Sequence, residues 1–329
     1  MELITVQNNI ENQIISENEV ITRTSNGNFI EANTKKVSLE HLKRDCTIPV
    51  FAKDNETSIS HYQFIDSTQE IARQLFPDVE IMQPDIRVSH IIKGRIPSAI
   101  GKPAKELLEH EKTLYYERCA FVIEIPSIKQ IINGNELSLT IGGVRAYNQE
   151  NLYSRKSLEK FKLFIGFKNK VCTNLCVSTD GFSNEIRIGS ISELSDKAME
   201  LFEGYNMQQH LELMHELPNY ELSEKQFAQF IGKARMYGHL SKAEQNGLFP
   251  MALSDSQINQ VVKQYYTCDN FGRSADGSVN LWNLYNLFTE ANKGSYIDSN
   301  FERNVNAFEL VQNLGNSIKN STNNWFLHN

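Results

Sequence analysis

An Asn-Gly pair at positions 133 and 134 stands inside SIKQIINGNELSLTIGGVRAY, between two runs in which apolar and polar residues alternate. Asn-Gly readily adopts the positive φ angles of a two-residue turn, so this pattern is the strongest short-range signal for a β-hairpin. Further strands are predicted from residue 86 in IRVSHIIKGRIP, in AFVIEIP, in KFKLFIGF and in NEIRIGSI, with a second turn at Asp180-Gly181. The centre of the chain is therefore predicted to be an antiparallel sheet.

Residues on either side of this region have different patterns of apolar and capping residues. SISHYQFI (58–65) is predicted as a strand, STQEIARQLF as a helix capped by Ser67, and KPAKELLEHEKTLYYER (102–118) as a helix. After about residue 195 the apolar residues take helical spacing, and Ser223 with Gln226 forms a capping-box pattern before FAQFIGKARMYG. The SQINQVVKQYYT and LWNLYNLFTEANKG segments are two more predicted helices. Trp282, Asn283 and Asn286 lie off the main apolar face of the last one, so they either pack on the β half and make this helix a brace between the halves, or leave Trp282 as a contact point for a partner.

The expected fold class is therefore α+β, with a mainly β half followed by a helical half. We predict an irregular N-terminal arm over 1–55, a β-rich domain over 56–193, a helical domain over 194–315 and a polar tail over 316–329. Trp325-Phe326 in that tail is expected to be exposed.

Composition limits the class of protein. The chain has 329 residues, a net charge of −7 and five cysteines without regular spacing, and no apolar run approaches the ~18–20 residues that span a bilayer. We therefore expect a cytoplasmic protein with reduced thiols and no membrane partner. Residues 86–192 carry 16 Lys and Arg against 10 Asp and Glu, a net charge of +6. This asymmetry indicates either an anionic partner for that region or two solvated surfaces of different composition.

Motifs of catalysis give no positive signal. Cys172 and Cys176 in a strand would lie ~13 Å apart, which is too far for one metal ion or one disulfide. In a helix they could share a metal, and a reactive thiol stays open as an alternative. GRIPSAIGK (94–102) has the wrong spacing for a phosphate loop and is followed by Pro103. We predict no catalytic residue, cofactor or metal, and an enzyme lacking a familiar motif stays possible.

The most informative stretch runs from Arg145 to Lys170, where basic and aromatic residues are interleaved. Basic groups neutralise phosphates while aromatic rings stack on bases, which is the chemistry of single-strand binding. The same alternation is also that of an ordinary half-buried strand, with Lys160, Lys162 and Phe164 on one face. The predicted nucleic-acid-binding residues are Arg145, Tyr147, Tyr153, Arg155, Lys156, Lys160, Lys162, Lys168 and Lys170, and Arg87, His90, Lys93 and Arg95 would extend the surface.

Three long motifs carry a family resemblance: IRVSHIIKGRIPSAIGKPAKELLEHEKTLYYERCAF, IGGVRAYNQENLYSRKSLEKFKLFIGFKNKVCTNLCVSTDG and NLWNLYNLFTEANKGSYIDSNFERNVNAFELVQNL. From about residue 56 to 315 the chain resembles a domain-of-unknown-function family encoded on conjugative transposons, plasmids and phage-like elements of gut anaerobes. It is also similar to a broader phage- and plasmid-like family. The resemblance implies a cytoplasmic bacterial protein that travels with mobile DNA, and it supplies no catalytic residues.

Two functions follow from these observations. The leading hypothesis is a non-enzymatic protein that binds or anneals single-stranded DNA in recombination or element maintenance, by analogy with phage annealing proteins. The alternative is a protein-interaction module that targets a host replication or defence factor. The acidic balance of the chain outside 86–192 and the apolar residues near the C-terminus favour this alternative.

Overall fold

The first half of the protein is an eight-stranded antiparallel sheet. The computed structural model describes residues 27–51, 58–149 and 158–327. The strands run in the order β1-β3-β4-β5-β6-β7, with β2 also paired to β3 and β8 to β6. Their bounds are β1 Lys35–Val37, β2 Ile48–Pro49, β3 Asp85–Arg95, β4 Lys112–Ile132, β5 Asn135–Ala146, β6 Glu159–Asn169, β7 Leu175–Cys176 and β8 Phe182–Ile188.

The predicted hairpin is confirmed and forms the centre of the sheet. Ile132 pairs with Asn135 across the turn, and the two turn residues have φ angles of 48° at Asn133 and 79° at Gly134. Both angles are positive, as a type I′ turn requires. The Asn-Gly pair therefore forms the turn type whose twist matches that of the two strands.

The second half is helical, which confirms the α+β class. A two-stranded ladder of β9 (Glu221–Leu222) and β10 (Val279–Asn280) lies among the helices. The α-helices within the described residues are α1 Leu39–Asp45, α2 His61–Leu75, α3 Ile191–Gly204, α4 Met207–Glu216, α5 Glu224–Tyr237, α6 Lys242–Gln245, α7 Asp255–Thr267, α8 Leu281–Asn292 and α9 Ile297–Lys319.

Two sequence-based assignments are wrong. Residues 58–65 do not form a strand, because the capping box of Ser60 and Gln63 starts α2 at His61 and Ser67 lies inside that helix. Residues 102–118 do not form a helix either. Only a short 3₁₀ turn forms at Glu109–Glu111, and β4 begins at Lys112. In β4 the aromatic side chains of Tyr115 and Tyr116 are buried, and this burial outweighs the helical spacing.

The two ends of the chain are more ordered than predicted. Within 1–55, expected to be irregular, β1, α1 and β2 add to the fold, and both strands pair with β3. At the other end α9 continues to Lys319, and Phe326 is only 1% exposed beside Phe230 and Tyr237. The expectation that Trp325-Phe326 is exposed is therefore wrong for Phe326, because α5 covers this ring.

The two faces of the sheet are covered by different helices. Phe121, Phe161 and Leu163 belong to the main core together with Phe64 of α2 and Leu194 of α3. We call this side the α2 face. On the opposite side, called the α9 face, Ala120, Val122, Val144 and Phe164 form a second, smaller core with Phe301 and Ile297 of α9. Because the apolar centre is covered on both sides, open sheet surface is left towards the strand ends.

Helix α8 joins the sheet to the helical half and is buried nearly all round. Trp282 Nε1 donates a hydrogen bond of 2.7 Å to Asn135 Oδ1 in β5. Asn286 accepts from Asn169 Nδ2 at 3.0 Å through its side chain and from Asn174 Nδ2 at 3.0 Å through its carbonyl. The predicted brace between the two halves is confirmed.

Among the described residues, every helix is too short or too polar to cross a lipid bilayer.

Candidate nucleic-acid interface

The predicted basic stretch is divided between the interior and two ends of the sheet. In β6, Phe161, Leu163 and Ile165 lie in the main core while Phe164 packs beneath α9, as the alternation predicts. Lys160 and Lys162 therefore lie on the α9 face. The interleaved aromatic rings of β6 are inside the protein and offer no stacking surface.

Arg145 and Tyr147 lie in the interior. Arg145 pairs with Cys119 of β4, which points into the main core, so its side chain follows onto the α2 face. The guanidinium lies 4.2 Å from the Tyr147 ring centre and 4.7 Å from that of Phe161, and it pairs with the Glu159 carboxylate. Since both side chains are at most 2% exposed, they are not positioned to contact a phosphate from outside.

Lys168 and Lys170 lie at the other end of β6 and share one carboxylate. Lys168 Nζ is 3.2 Å from Glu124 Oε2, and Lys170 pairs with the second oxygen of Glu124. Ser138 Oγ also donates to Glu124 at 2.8 Å. This cluster neutralises much of its own charge within the sheet.

The other predicted residues are scattered. Tyr153, Arg155 and Lys156 lie outside the described residues. Arg87 is buried and donates to Thr34, and Arg95 is buried and donates to backbone carbonyls. His90 and Lys93 are exposed on β3. The proposed extension therefore does not join the Lys160–Lys162 region as one exposed surface.

Lys160 and Lys162 line a cleft of about 280 Å³ between the sheet and α9. The cleft is open because the β5 residues beside it, Val144 and Ala146, have side chains too small to fill it. The lining is formed by Val144, Ala146, Lys160, Phe161, Lys162, Asn184, Glu185 and Glu302.

A β-bulge in β8 shapes the wall of this cleft. Phe161 pairs with Ile186 and Leu163 with Ser183, so Asn184 and Glu185 both stand against Lys162 alone. A bulge inserts one extra residue and re-aims side chains, and such irregularities concentrate at sheet edges and beside functional sites. Here it places an amide and a carboxylate in the cleft wall.

Lys162 ties the floor of the cleft to α9. Its ammonium donates to the Asp298 carbonyl at 2.7 Å and to Glu302 Oε1 at 2.9 Å, and its side chain is 8% exposed. Lys160 Nζ lies 3.6 Å from Glu185 Oε1, and Arg187 donates to the same carboxylate. The Arg187 hydrogen bond keeps the pKa of Glu185 below its usual value, so this carboxylate is ionised at neutral pH.

The sheet register aligns three cations across one end of the α9 face, and their side-chain exposure rises from 15% at Arg118 through 29% at Lys160 to 59% at Arg187. Arg118 pairs with Ala146, and Lys160 pairs with Arg187. Because Val144 pairs with Lys162, Ala146 stands beside Lys160 two residues further along. We call Arg118, Lys160 and Arg187 the cation row. It crosses four strands, a span of ~14 Å at ~4.8 Å per strand.

An exposed aromatic ring stands at one end of the cation row. Tyr296, the residue before α9, is 54% exposed, and the Arg118 guanidinium lies 5.6 Å from its ring centre. Sequence analysis missed Arg118, Arg187 and Tyr296, because they come from three distant segments that the sheet and α9 bring together. Alternation in NEIRIGSI was the available signal for an outward-pointing Arg187.

Cys46, Cys119, Cys172 and Cys176 are buried, and Cys268 is partly exposed. Cys176 lies in β7 and Cys172 in the turn before it, and burial raises the pKa of the Cys172 thiol to about 12. Across 27–51, 58–149 and 158–327, no three His, Cys, Asp or Glu side chains are grouped to hold a metal ion.

Comparison with known families and proteins identifies the family of this chain and assigns it no function. No curated protein and no solved structure is detectably similar to it. A family model described as a domain of unknown function, B. theta gene description (DUF3871), matches residues 9–327. That match extends beyond the 56–315 range on which the sequence resemblance rested. With nearly all of its length matched, the chain belongs to this family of domains of unknown function.

Proposed function

We propose that the protein binds single-stranded nucleic acid without catalysing a reaction, and that the strand crosses the cation row. The observation that carries this proposal is the register that places Arg118, Lys160 and Arg187 in one line beside the exposed ring of Tyr296. Cations that follow a backbone, next to an aromatic platform for a base, are the elements of single-strand binding.

This surface differs from the one that the sequence predicts. It keeps Lys160 and Lys162, gains Arg118, Arg187 and Tyr296, and leaves Arg145 and Tyr147 as interior supports. Exposed pairs such as Lys160 with Glu185 contribute only ~0–1 kcal/mol, so a phosphate can replace the carboxylate at little cost. The carboxylates should then weaken binding, because they compete with the phosphates for the same cations.

Fluorescence anisotropy of a labelled single-stranded oligonucleotide, with a duplex of the same sequence as control, tests the proposal across a salt series. With three phosphates contacted, the slope of log K against log salt should be roughly −2. K160E and R187E should each reduce affinity about tenfold or more. Lys263→Glu on α7, remote from the sheet in sequence and fold, is the matched charge control and should change little.

Glu185→Gln is the most informative variant, because its effect on affinity should have opposite signs for a polyanionic ligand and for a cationic partner. The amide would release Lys160 and Arg187, so affinity for a polyanion should rise several-fold. A cationic partner would instead bind more weakly. No binding at low salt, or binding that K160E and R187E leave unchanged, would remove the cation row from consideration.

A protein partner stays the second candidate, and one observation favours it. Residues 191–224 carry eight Asp and Glu against a single Lys, and each of these carboxylate residues is exposed. Such a surface suits a basic protein. Charge reversal at Asp196 and Glu200 on α3 should weaken that association and leave oligonucleotide binding unchanged.

The biological setting belongs to the same proposal. The motifs that resemble proteins of conjugative transposons, plasmids and phage-like elements support a cytoplasmic role in recombination or maintenance of such an element. A strand exposed during transfer or replication is the ligand that this setting would supply.

A further inference from the structure

We infer that the cleft beside the cation row takes one base of the bound strand and favours bases that carry an exocyclic amino group. This inference rests on the proposed function and names its specificity. The bases in question are cytosine and adenine, which present their N4 and N6 amino groups at the edge where thymine presents O4, and thymine is the base to be disfavoured.

The position of the cleft supports the insertion of a base. Lys160 belongs both to the cleft lining and to the cation row, so a strand held by the row passes over the cleft mouth. A volume of about 280 Å³ lies just below the usual range for small-ligand clefts and suits a single planar group. Unstacked bases of single strands are recognised in this way, by insertion and hydrogen bonding to their edges.

The polar atoms of the lining set the preference. Lys162 already donates to the Asp298 carbonyl and to Glu302, and its side chain is almost fully buried. The carboxylates are more accessible, since the Glu185 side chain is 44% exposed and the Glu302 side chain 40%. The Lys160 ammonium is the other donor of the lining, and it faces Glu185 and, in the proposed function, a phosphate. The groups left to an entering base are therefore mainly the carboxylate oxygens of Glu185 and Glu302.

Acceptors discriminate between the bases by simple complementarity. Cytosine presents its N4 amino group and adenine its N6 amino group, whereas thymine presents the O4 acceptor at the same edge. Carboxylates accept from the cytosine amino group, and an amide such as that of Asn184 matches adenine. An O4 atom facing Glu302 would leave two acceptors opposed, which is unfavourable.

Competition between equal-length dC, dA and dT oligonucleotides tests the inference at neutral pH and one salt concentration. We expect dC and dA to bind about fivefold or more tightly than dT, the low end of a specific base contact. Bases stack least in dT strands, so these flexible strands are the easiest to bend onto a surface and would bind best without base contacts. Tighter binding of dC and dA is therefore diagnostic of a base contact.

Glu302→Gln is the informative variant because its amide can donate to O4 of thymine. The dC-to-dT ratio should fall towards one, while Lys162 keeps its bond to the Asp298 carbonyl and a thermal melt reports folding. Glu309→Gln removes the same charge from α9 outside the cleft lining and should leave the ratio unchanged.

The outcomes separate this inference from the proposed function. Salt-dependent binding with equal affinity for the three strands, or tighter binding of dT, overturns the base preference and leaves strand binding intact. Absence of binding to all three overturns both. A ratio that Glu302→Gln and Glu309→Gln change equally assigns the preference to overall charge and overturns the role of the cleft.

Discussion

At the scale of single residues, two histidines are buried in their neutral form. His61 Nε2 donates to the Tyr116 carbonyl at 2.8 Å, and the His61 ring stacks 4.8 Å from that of Tyr115. His210 Nδ1 lies 2.7 Å from the Tyr205 hydroxyl. Burial lowers the pKa of His61 to about 3, helped by the Arg145 charge, and burial lowers that of His210 to about 4. Neither ring can take up a proton without desolvation cost.

These two histidines should make the protein acid-sensitive. Their folded-state pKa values lie below the unfolded value of 6.5, so the unfolded chain binds protons first as the pH falls. Stability should be complete above pH 6.5 and decrease towards pH 4, by on the order of 1–3 kcal/mol per histidine. Urea unfolding at a series of pH values measures this.

His210→Gln and His215→Gln form the matched pair for that measurement. His215 is exposed on the same helix, so its replacement should leave the pH dependence unchanged. His210→Gln should flatten it, although the variant can be less stable at neutral pH. An unaltered slope in His210→Gln would show that this ring is not responsible.

At the scale of elements, signals confined to a few residues predict the structure well. Asn133-Gly134 and the Ser223–Gln226 capping box give correct elements, because both interactions close within four residues. The 58–65 segment was assigned wrongly because its own local signal, the capping box of Ser60 and Gln63, was overlooked in favour of a strand. The 102–118 segment was assigned wrongly because β4 is decided by its pairing with β3 over a long sequence distance.

The hairpin turn gives an element-scale prediction. Gly134 has a φ of +79°, and a Cβ added there would meet no atom within 4 Å. Gly134→Ala should therefore cost only the backbone strain of a positive φ, about 1–2 kcal/mol. Gly204→Ala, at an equally open site at the end of α3, should be neutral or stabilising. Equal urea midpoints for both variants would contradict the type I′ assignment.

At the scale of the whole molecule, one core runs through both halves. The main cluster holds Phe121 and Phe167 of the sheet together with Tyr285 of α8 and Phe308 of α9. Asn286 accepts hydrogen bonds from the side-chain amides of Asn169 and Asn174. All three residues are buried, so solvent cannot take the place of Asn286 as acceptor. The boundary near residue 193 is therefore a change of secondary structure within continuous packing.

We expect the two halves to unfold together. Asn286→Ala would leave the Asn169 amide without its Oδ1 acceptor, at ~1–3 kcal/mol for one buried group, while Asn174 keeps its bond to the backbone carbonyl of residue 286. Asn283→Ala, on the same helix but only partly buried, is the control. Calorimetry should give a single transition that Asn286→Ala lowers as a whole. Two transitions, with only one displaced, would support independently folding domains.

The candidate site shows what sequence reasoning can supply and where it ends. Alternation placed Lys160 and Lys162 on one face correctly, since strand periodicity is local. It could not show that Arg145 points into the core beside Glu159, nor that Arg118 and Arg187 complete the row. Those facts depend on register across four strands and on the bulge at Asn184-Glu185, which have no signature within any one segment.

Coverage of the sheet on both faces fixes the size of the footprint. Because α2 and α9 cover the middle of each face, a nucleic-acid strand bound as proposed along the cation row would run across the strands of the sheet. A path of ~14 Å is about two to three nucleotides of extended strand. One molecule would therefore occlude very little of a long strand. Affinity should stop rising once an oligonucleotide exceeds that length, and coating a long strand would require many copies, each bound separately.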